Sequence, residues 1–300
     1  MLLPDAMGDP RRERTDERVT VDDFRLLQRL MQREAGIVLE AGKEYLVEAR
    51  LSALALREGF STVRALIDAL QTEDDHGSLQ RSVVESLAIS ETSFFRDMSP
   101  FEVIRRDILP ALIQRRGAER TLKIWSAACS SGQEPYSVAM LLRENFAHLY
   151  DWNVWLLASD MSRGAIRRAS SGAYSQVEVN RGLPAALLVR YFKREGAEWY
   201  VREELQRMVQ FRELNLAAPW PPLPAMDLIL MRNVLLYLDQ ATRTMVLDNV
   251  ARTLSPDGFL ILGGGETTLT VGEAFVPVKF GRTIGYQCNP AVARPRRYAA

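Results

Sequence analysis

Thr121-Leu122-Lys123-Ile124-Trp125-Ser126-Ala127-Ala128-Cys129-Ser130-Ser131-Gly132-Gln133-Glu134-Pro135-Tyr136-Ser137 is the stretch on which the fold turns. Thr121 to Trp125 reads as a short buried strand, and the small residues after it read as a loop. A helix follows from about Glu134 to Phe146, with Pro135 suited to its first turn. Downstream, Asn153 to Ala158 is a second apolar run that ends in Ser159-Asp160, and a helix follows from Arg163 to Ala169. Asp227 to Met231 and Gly258 to Leu262 repeat the strand pattern, the latter running into three glycines. Strands alternating with helices imply an α/β domain with a parallel sheet and crossover helices. Between Gly172 and Leu214 the texture differs. Val177 to Val179, Trp199 to Val201 and Val209 to Phe211 read as short strands, and Leu183 to Tyr191 as a helix, which makes this segment a small β-rich insertion.

Upstream the chain reads as helical. Phe24, Leu27, Leu30 and Met31 fall at helical spacing, with Thr20 or Asp22 as the cap and Gly36 as the stop. Further helices are expected from about Lys43 to Arg57, after Ser61, and through Val83, Val84, Leu87 and Ile89. A long helix from Pro100 to about Arg116 then serves as a connector.

In an open α/β sheet, ligands sit beyond the carboxyl ends of the strands. Two such ends carry acids here. The loop after Trp125 is built of small residues, which lets a ligand approach the backbone. Glu134 then makes a phosphate ligand unfavourable, because like charges repel, and favours a cation. Asp160 stands about one βαβ unit later, where an acid accepts hydrogen bonds from ribose hydroxyls. Each residue alone has an ordinary reading: Glu134 as a first-turn acid favoured by the helix dipole, and Asp160 as a helix cap. Taken in order they point to an adenosyl ligand without a pyrophosphate, such as S-adenosyl-L-methionine with its ammonium and sulfonium. No G-x-G-x-x-G follows the first strand, which disfavours a nicotinamide dinucleotide.

Composition narrows the classes. Lys plus Arg and Asp plus Glu are balanced at 38 each, which argues against a protein built to coat nucleic acid. Cys129 and Cys288 are too few for a disulfide framework, and His76 and His148 leave few metal ligands, so no metal is expected and a cytoplasmic setting fits. No apolar run approaches the roughly 20 residues that span a bilayer, so no membrane insertion is expected. Met1 to Arg18 lacks an apolar core and reads as a disordered tail rather than a secretory signal.

Four segments carry a resemblance to a known family. WSAACSSGQEPYS (125–137) resembles the methyl-donor signature of CheR-type chemotaxis protein methyltransferases, which esterify chemoreceptor glutamates. Glu91 to Arg96 (ETSFFR) resembles their T-x-F-F-R element, Asp227 to Leu238 (DLILMRNVLLYL) their R-N-V-x-x-Y element, and Gly263 to Thr267 (GGGET) their last strand end. The four occur in family order. The resemblance implies a Rossmann-like class I methyltransferase domain with a three-stranded β insertion, preceded by an all-helical domain. The boundaries expected are a tail at 1–18, a receptor-docking domain at 19–90, a linker helix at 91–118, a methyltransferase domain at 119–288 with its insertion at 172–214, and a flexible basic tail at 289–300.

Carried over residue by residue, the resemblance implies that Ser90, Thr92, Arg96, Ala127, Glu134, Asp160, Asn215, Leu216, Arg232 and Asn233 bind S-adenosyl-L-methionine and its product S-adenosyl-L-homocysteine. Ser90 departs from the family's Asn, and Gln133 from a commonly acidic position. The acceptor the resemblance implies is a glutamate carboxylate, which is ionised at neutral pH and needs no general base. Arg96 and Tyr237 are the candidates for steering it, by a two-point fork and a phenol hydrogen bond. Arg96 has an equal alternative as partner of the donor's own carboxylate. Lys43, Arg50 and Arg57 recur every seven residues on one helix face and are expected to dock the cytoplasmic helical region of a chemoreceptor; the bland reading is a solvated charged face. Some relatives bind a receptor-tail peptide on the β insertion by strand addition. Phe192 to Leu205 is shorter here, around Gly196, so no dependence on that peptide is expected. Two other functions fit the same pocket: a methyltransferase with another protein or a small-acid acceptor, and a non-catalytic module that binds the same ligand.

Overall fold

Thr20 opens the first helix, α1 (Val21–Ala35), through a capping box with Asp23, and Gly36 closes it in the left-handed conformation. The apolar residues Phe24, Leu27, Leu30 and Met31 fall on the buried face. The helix α2 (Glu44–Arg57) packs on α3 (Val63–Thr72) and α4 (Gly77–Leu87), and α4 packs on α1; Leu51, Leu54, Leu66, Ile67 and Val83 are buried. The computed structural model describes residues 19–72, 77–266 and 273–292. Within them the chain forms two compact units, one ending at Ile89 and the other starting at Ser90. The tail expected at 1–18, Thr267, and the basic tail from 293 onward lie outside the described residues.

In the second unit the connector comprises α5 (Ser99–Val103) and α6 (Leu109–Arg116), joined by a π turn at Ile104–Ile108. Leu109 N–H donates to Ile104 O, five residues back, and the next residue, Pro110, has no N–H to offer. Phe101, Ile104, Ile108 and Leu112 from this segment belong to the unit's apolar core.

The sheet follows β1 (Thr121–Ala127), β2 (Asn153–Asp160), β6 (Val209–Glu213), β7 (Met226–Met231), β8 (Leu254–Leu262), β9 (Phe275–Phe280) and β10 (Thr283–Cys288). Among the described residues its order is β6-β2-β1-β7-β8-β10-β9. The chain winds outward from β1 through β2 to β6, then returns to the other side of β1 with β7. That reversal leaves a crevice beyond the ends of β1 and β7, the place where such folds bind ligands. The crossover helices include α7 (Gln133–Asn145), α8 (Arg163–Ser171) and α12 (Gln240–Thr253). The parallel sheet expected from alternation is in fact mixed, because β9 and β10 form an antiparallel hairpin on its edge. Both strands are only partly buried, unlike the fully buried β7, as befits strands toward the edge of the sheet.

The insertion is a three-stranded antiparallel sheet of β3 (Ala173–Ser175), β4 (Phe192–Glu195) and β5 (Glu198–Val201), in the order β3-β5-β4. Two readings of its strands are corrected. Val177 to Val179 lie in a short helix, α9 (Gln176–Asn180), because Ser175 and Glu178 form a capping box that starts a helix there. Val209 to Phe211 pair in parallel with Leu156 to Ala158 and so complete the main sheet. The helix α10 (Ala185–Tyr191) leads into β4, and α11 (Glu203–Gln206) follows β5.

Candidate functional site

Strand register gathers the predicted residues. Ala127, at the buried end of β1, lies opposite Ser159 on one side and Met231 on the other. The next residues along those two strands are Asp160 and Arg232. The loop that leaves β1 folds tightly, with Ala128 and Ser130 at φ 56° and 51°. Ser130 N–H donates to Asp160 Oδ2 at 2.8 Å, and Ser162 N–H to Asp160 Oδ1 at 2.9 Å. Asp160 thus ties the loop to the second strand.

Glu134 enters from the first turn of α7, where the helix dipole favours a carboxylate. Its Oε1 accepts from Ser126 Oγ at 2.7 Å and its Oε2 from Arg232 Nη1 at 3.0 Å. Arg232 is the centre of the arrangement. Its side chain is 2% exposed, and it lies between Glu134, 12% exposed, and Asp97, 56% exposed. Its Nη2 donates to Asp97 Oδ2 at 2.9 Å and to Arg96 O at 2.8 Å. Its charge centre lies 5.6 Å from the Phe101 ring centroid. A buried guanidinium is tolerated only with such partners. Glu134 is therefore not a bare acid but one end of an acid–arginine–acid bridge.

The segment Ser90 to Asp97 lies against the donor loop. Ser130 Oγ donates to Ser90 O at 2.6 Å, and Phe95 N–H donates to Ser137 Oγ at 2.9 Å. Phe95 and Asp97 adopt positive φ, at 47° and 55°, which bends the chain around Arg96. Arg96 Nη1 donates to Glu91 O at 2.9 Å, and half-buried Thr92 lies between the two. Phe94 is fully buried, edge-on to Tyr174 and Phe192 of the insertion. Gly182 of the insertion packs so closely on this segment that a Cβ there would lie 2.1 Å from Phe94 O.

Leu214 N–H donates to Asp160 O at 2.9 Å, which sets Asn215 and Leu216 beside the second strand end. Asn215 Oδ1 caps its own turn by accepting from Ala217 N–H, and Leu216 is buried next to Trp220. Asn233 follows Arg232 at φ 59°. Tyr237 lies on a 3-10 turn, Leu235–Tyr237, ahead of α12, and it is half-buried. Burial pushes the Cys129 thiol up, and the Asp160 and Glu134 carboxylates push it further. Cys129 is therefore a neutral thiol and not a nucleophile.

Residues 90–283 match the family model described as CheR methyltransferase, SAM binding domain, and residues 22–87 match CheR methyltransferase, all-alpha domain. This chain belongs to the CheR methyltransferase family. Chemotaxis protein methyltransferase 1 of Pseudomonas aeruginosa is 36% identical over 90% of this chain and 96% of that protein. Chemotaxis protein methyltransferase Cher2 of Pseudomonas putida is 33% identical over 89% of this chain and 98% of that protein. The chemotaxis protein methyltransferase of Borreliella burgdorferi is 32% identical over 83% and 89%. The CheR chain is accordingly an S-adenosylmethionine-dependent methyltransferase of chemotaxis, with the helical domain and Rossmann-like domain that its sequence led us to expect.

Sequence reasoning overlooked four members of the CheR site. Ser126 and Asp97 hold Glu134 and Arg232, and Ser130 bridges two loops. Glu266 receives four backbone N–H groups at the end of β8. A lone acid after three glycines at a strand end was the signal available for Glu266. The docking candidates belong to the helical unit. Lys43 precedes α2 and pairs with Glu40, Arg57 pairs with Glu58, and Arg50 Nη1 donates to Leu87 O at 2.6 Å. No helix among the described residues is long and apolar enough to cross a membrane.

Proposed function

We propose that the chain transfers the methyl group of S-adenosyl-L-methionine to glutamate side-chain carboxylates on the cytoplasmic helical region of chemoreceptors. The products are a glutamyl methyl ester and S-adenosyl-L-homocysteine. The observation that carries this reading is the acid-rich crevice at the ends of β1, β2 and β7, where Glu134, Asp160 and Asp97 outnumber buried Arg232. Such an excess of acids suits a ligand with more positive than negative groups. Glu134 would take the ammonium, and Asp160 the ribose hydroxyls. Asn215 and Leu216 would flank the adenine. Ser90, Thr92, Arg232 and Asn233 would complete the donor's surroundings.

The bound donor supplies an electrophilic methyl group on a sulfonium. A glutamate oxygen forms the new bond to that carbon as the carbon–sulfur bond breaks, and the electron pair stays on sulfur. No proton moves, because a glutamate carboxyl ordinarily ionises at about pH 4.3, well below neutral. Arg96 and Tyr237 orient the carboxylate for in-line attack, which is where most of the rate comes from in a reaction that needs no base. Buried Phe94 and Phe95 keep water from the reacting atoms.

Radiolabelled methyl transfer to a receptor cytoplasmic fragment tests the reading. Label released by mild alkali supports an ester; label that survives alkali, or no transfer at all, refutes it. Two partner statements belong to the same proposal. First, Lys43, Arg50 and Arg57 attract an acidic receptor helix in the cytoplasm. Reversing the charge of Lys43 and Arg57 then raises KM for the fragment at low salt, and the difference shrinks as salt rises. Arg50 is left in place because its bond to Leu87 O also supports the helical unit. Second, the enzyme does not depend on a receptor-tail peptide. Only Gly196 and Ala197 join β4 to β5, a short hairpin that supports this reading. Saturable micromolar binding of such a peptide would overturn it.

A further inference from the structure

Glu266 is a buried carboxylate, 5% exposed, for which the reaction just described has no use. Its Oε2 accepts from Asn233 N–H at 2.9 Å and Gly263 N–H at 2.7 Å. Its Oε1 accepts from Val234 N–H at 2.9 Å and Leu235 N–H at 2.8 Å. Two bonds on each oxygen use the full accepting capacity of a carboxylate, so Glu266 has nothing left for a ligand. Three of the donors are consecutive residues of one turn, an arrangement of N–H groups that forms an anion-binding concavity. Here the anion is the protein's own. We infer that Glu266 is a positioning residue for the transfer step, acting on Tyr237 through the turn that carries it.

The geometry explains why such a device is needed. The chain leaves β7 at Met231, places Arg232 on Glu134 and Asp97, and reverses through Asn233 at φ 59°. Asn is the non-glycine residue that adopts this left-handed conformation most readily, and the surroundings hold the turn there. Glu266 holds the N–H side of the turn. Arg243 holds the carbonyl side, donating from Nε to Leu235 O at 3.1 Å and from Nη2 to Leu238 O at 3.0 Å. Tyr237 lies between those two carbonyls in sequence, so its backbone is fixed from both sides. Gly263 belongs to the same clamp. A Cβ there would lie 2.8 Å from Glu266 Oε2 and 2.9 Å from Asn233 N, closer than real contacts allow.

The inference rests on the methyl-transfer reading above, and one experiment separates the two. Glu266→Gln preserves shape but turns an NH2 donor toward two N–H groups that lose their acceptor. The variants Glu266→Gln, Tyr237→Phe and their combination are assayed for ester formation, for S-adenosyl-L-homocysteine affinity by calorimetry, and for fold by circular dichroism. The expected result is a kcat for folded Glu266→Gln that is lower by on the order of tenfold to a hundredfold, the scale of an ångström-sized misplacement. In the combination the two losses do not multiply, because both act at Tyr237. Gly263→Ala, which prises the same clamp with the carboxylate intact, reproduces the kinetic loss and decides the matter if Glu266→Gln does not fold. Wild-type kcat in the folded variants, even with a lowered Tm, overturns the inference and leaves a merely structural glutamate. Fully multiplying losses also overturn it. A wild-type protein that forms no ester defeats the methyl-transfer reading instead.

Discussion

Replacing Glu134 by Gln removes one negative charge and leaves the side chain's shape. The magnitude follows from its partners. Oε1 takes the Ser126 hydroxyl and Oε2 takes Arg232, so each oxygen keeps one lone pair for an incoming ammonium. The ligand need not displace Arg232, but it shares the carboxylate's charge with it. A hydrogen bond to a charged group contributes about 1.5–3 kcal/mol, and sharing with Arg232 places Glu134 near the low end of that range. The expected loss of S-adenosyl-L-homocysteine affinity is therefore about tenfold, since about 1.4 kcal/mol is a factor of ten. Stability falls as well. Arg232 is left with Asp97, which is too exposed to compensate a buried guanidinium in full. Gln can still accept from Arg232, so the loss stays below the roughly 3–5 kcal/mol seen when a buried partner is removed outright. Calorimetric titration gives the first quantity and thermal unfolding without ligand the second. An unchanged dissociation constant with a lowered Tm would refute the assignment of Glu134 to the ligand's ammonium and leave it as the counterion of Arg232 alone.

Arg96→Ala should lower kcat about tenfold to a hundredfold, the value of one charged hydrogen bond, with product affinity unchanged. Normal turnover at saturating substrate removes Arg96 from the reaction, and weakened product binding moves it to the donor's carboxylate. Gly182→Ala should shift the segment that carries Arg96, because the new Cβ meets Phe94 O at 2.1 Å and φ is 87°. It should destabilise by at least about 1 kcal/mol and lower kcat, read from unfolding and methyl transfer on the same sample. Cys129 should resist maleimide at neutral pH in the folded protein. A raised thiol pKa keeps the unreactive neutral form until the pH passes above the ordinary thiol range, so labelling should begin only there. Mass spectrometry that finds Cys129 labelled at neutral pH without unfolding would contradict both its burial and its two acidic neighbours.

Much of this molecule is legible locally. Phe24, Leu27, Leu30 and Met31 announce a buried helix face, and Thr20 and Gly36 mark its ends, because capping and periodicity are settled within a few residues. The strand, small-residue loop and Glu134 were legible for the same reason, as was the general place of the ligand. Short-range rules also mislead where two of them compete. The β-branched valines at 177 and 179 suggest a strand, yet the Ser175–Glu178 capping box wins and the segment is helical.

Which distant segments meet is a different kind of information. Val209 to Glu213 joins the main sheet by pairing with β2, and nothing in its own residues distinguishes that edge from the insertion's. Glu134 and Arg232 are 98 residues apart, and Glu266 and Asn233 are 33 apart. Periodicity records only whether a residue faces the core. Sequence alone indicated the helical unit, the central strands and the acidic character of the loop. The strand order, and with it the bridging of Glu134 to Asp97 through a buried arginine, was decided only in three dimensions. The free energy of those contacts depends on burial and geometry that no local stretch of chain contains.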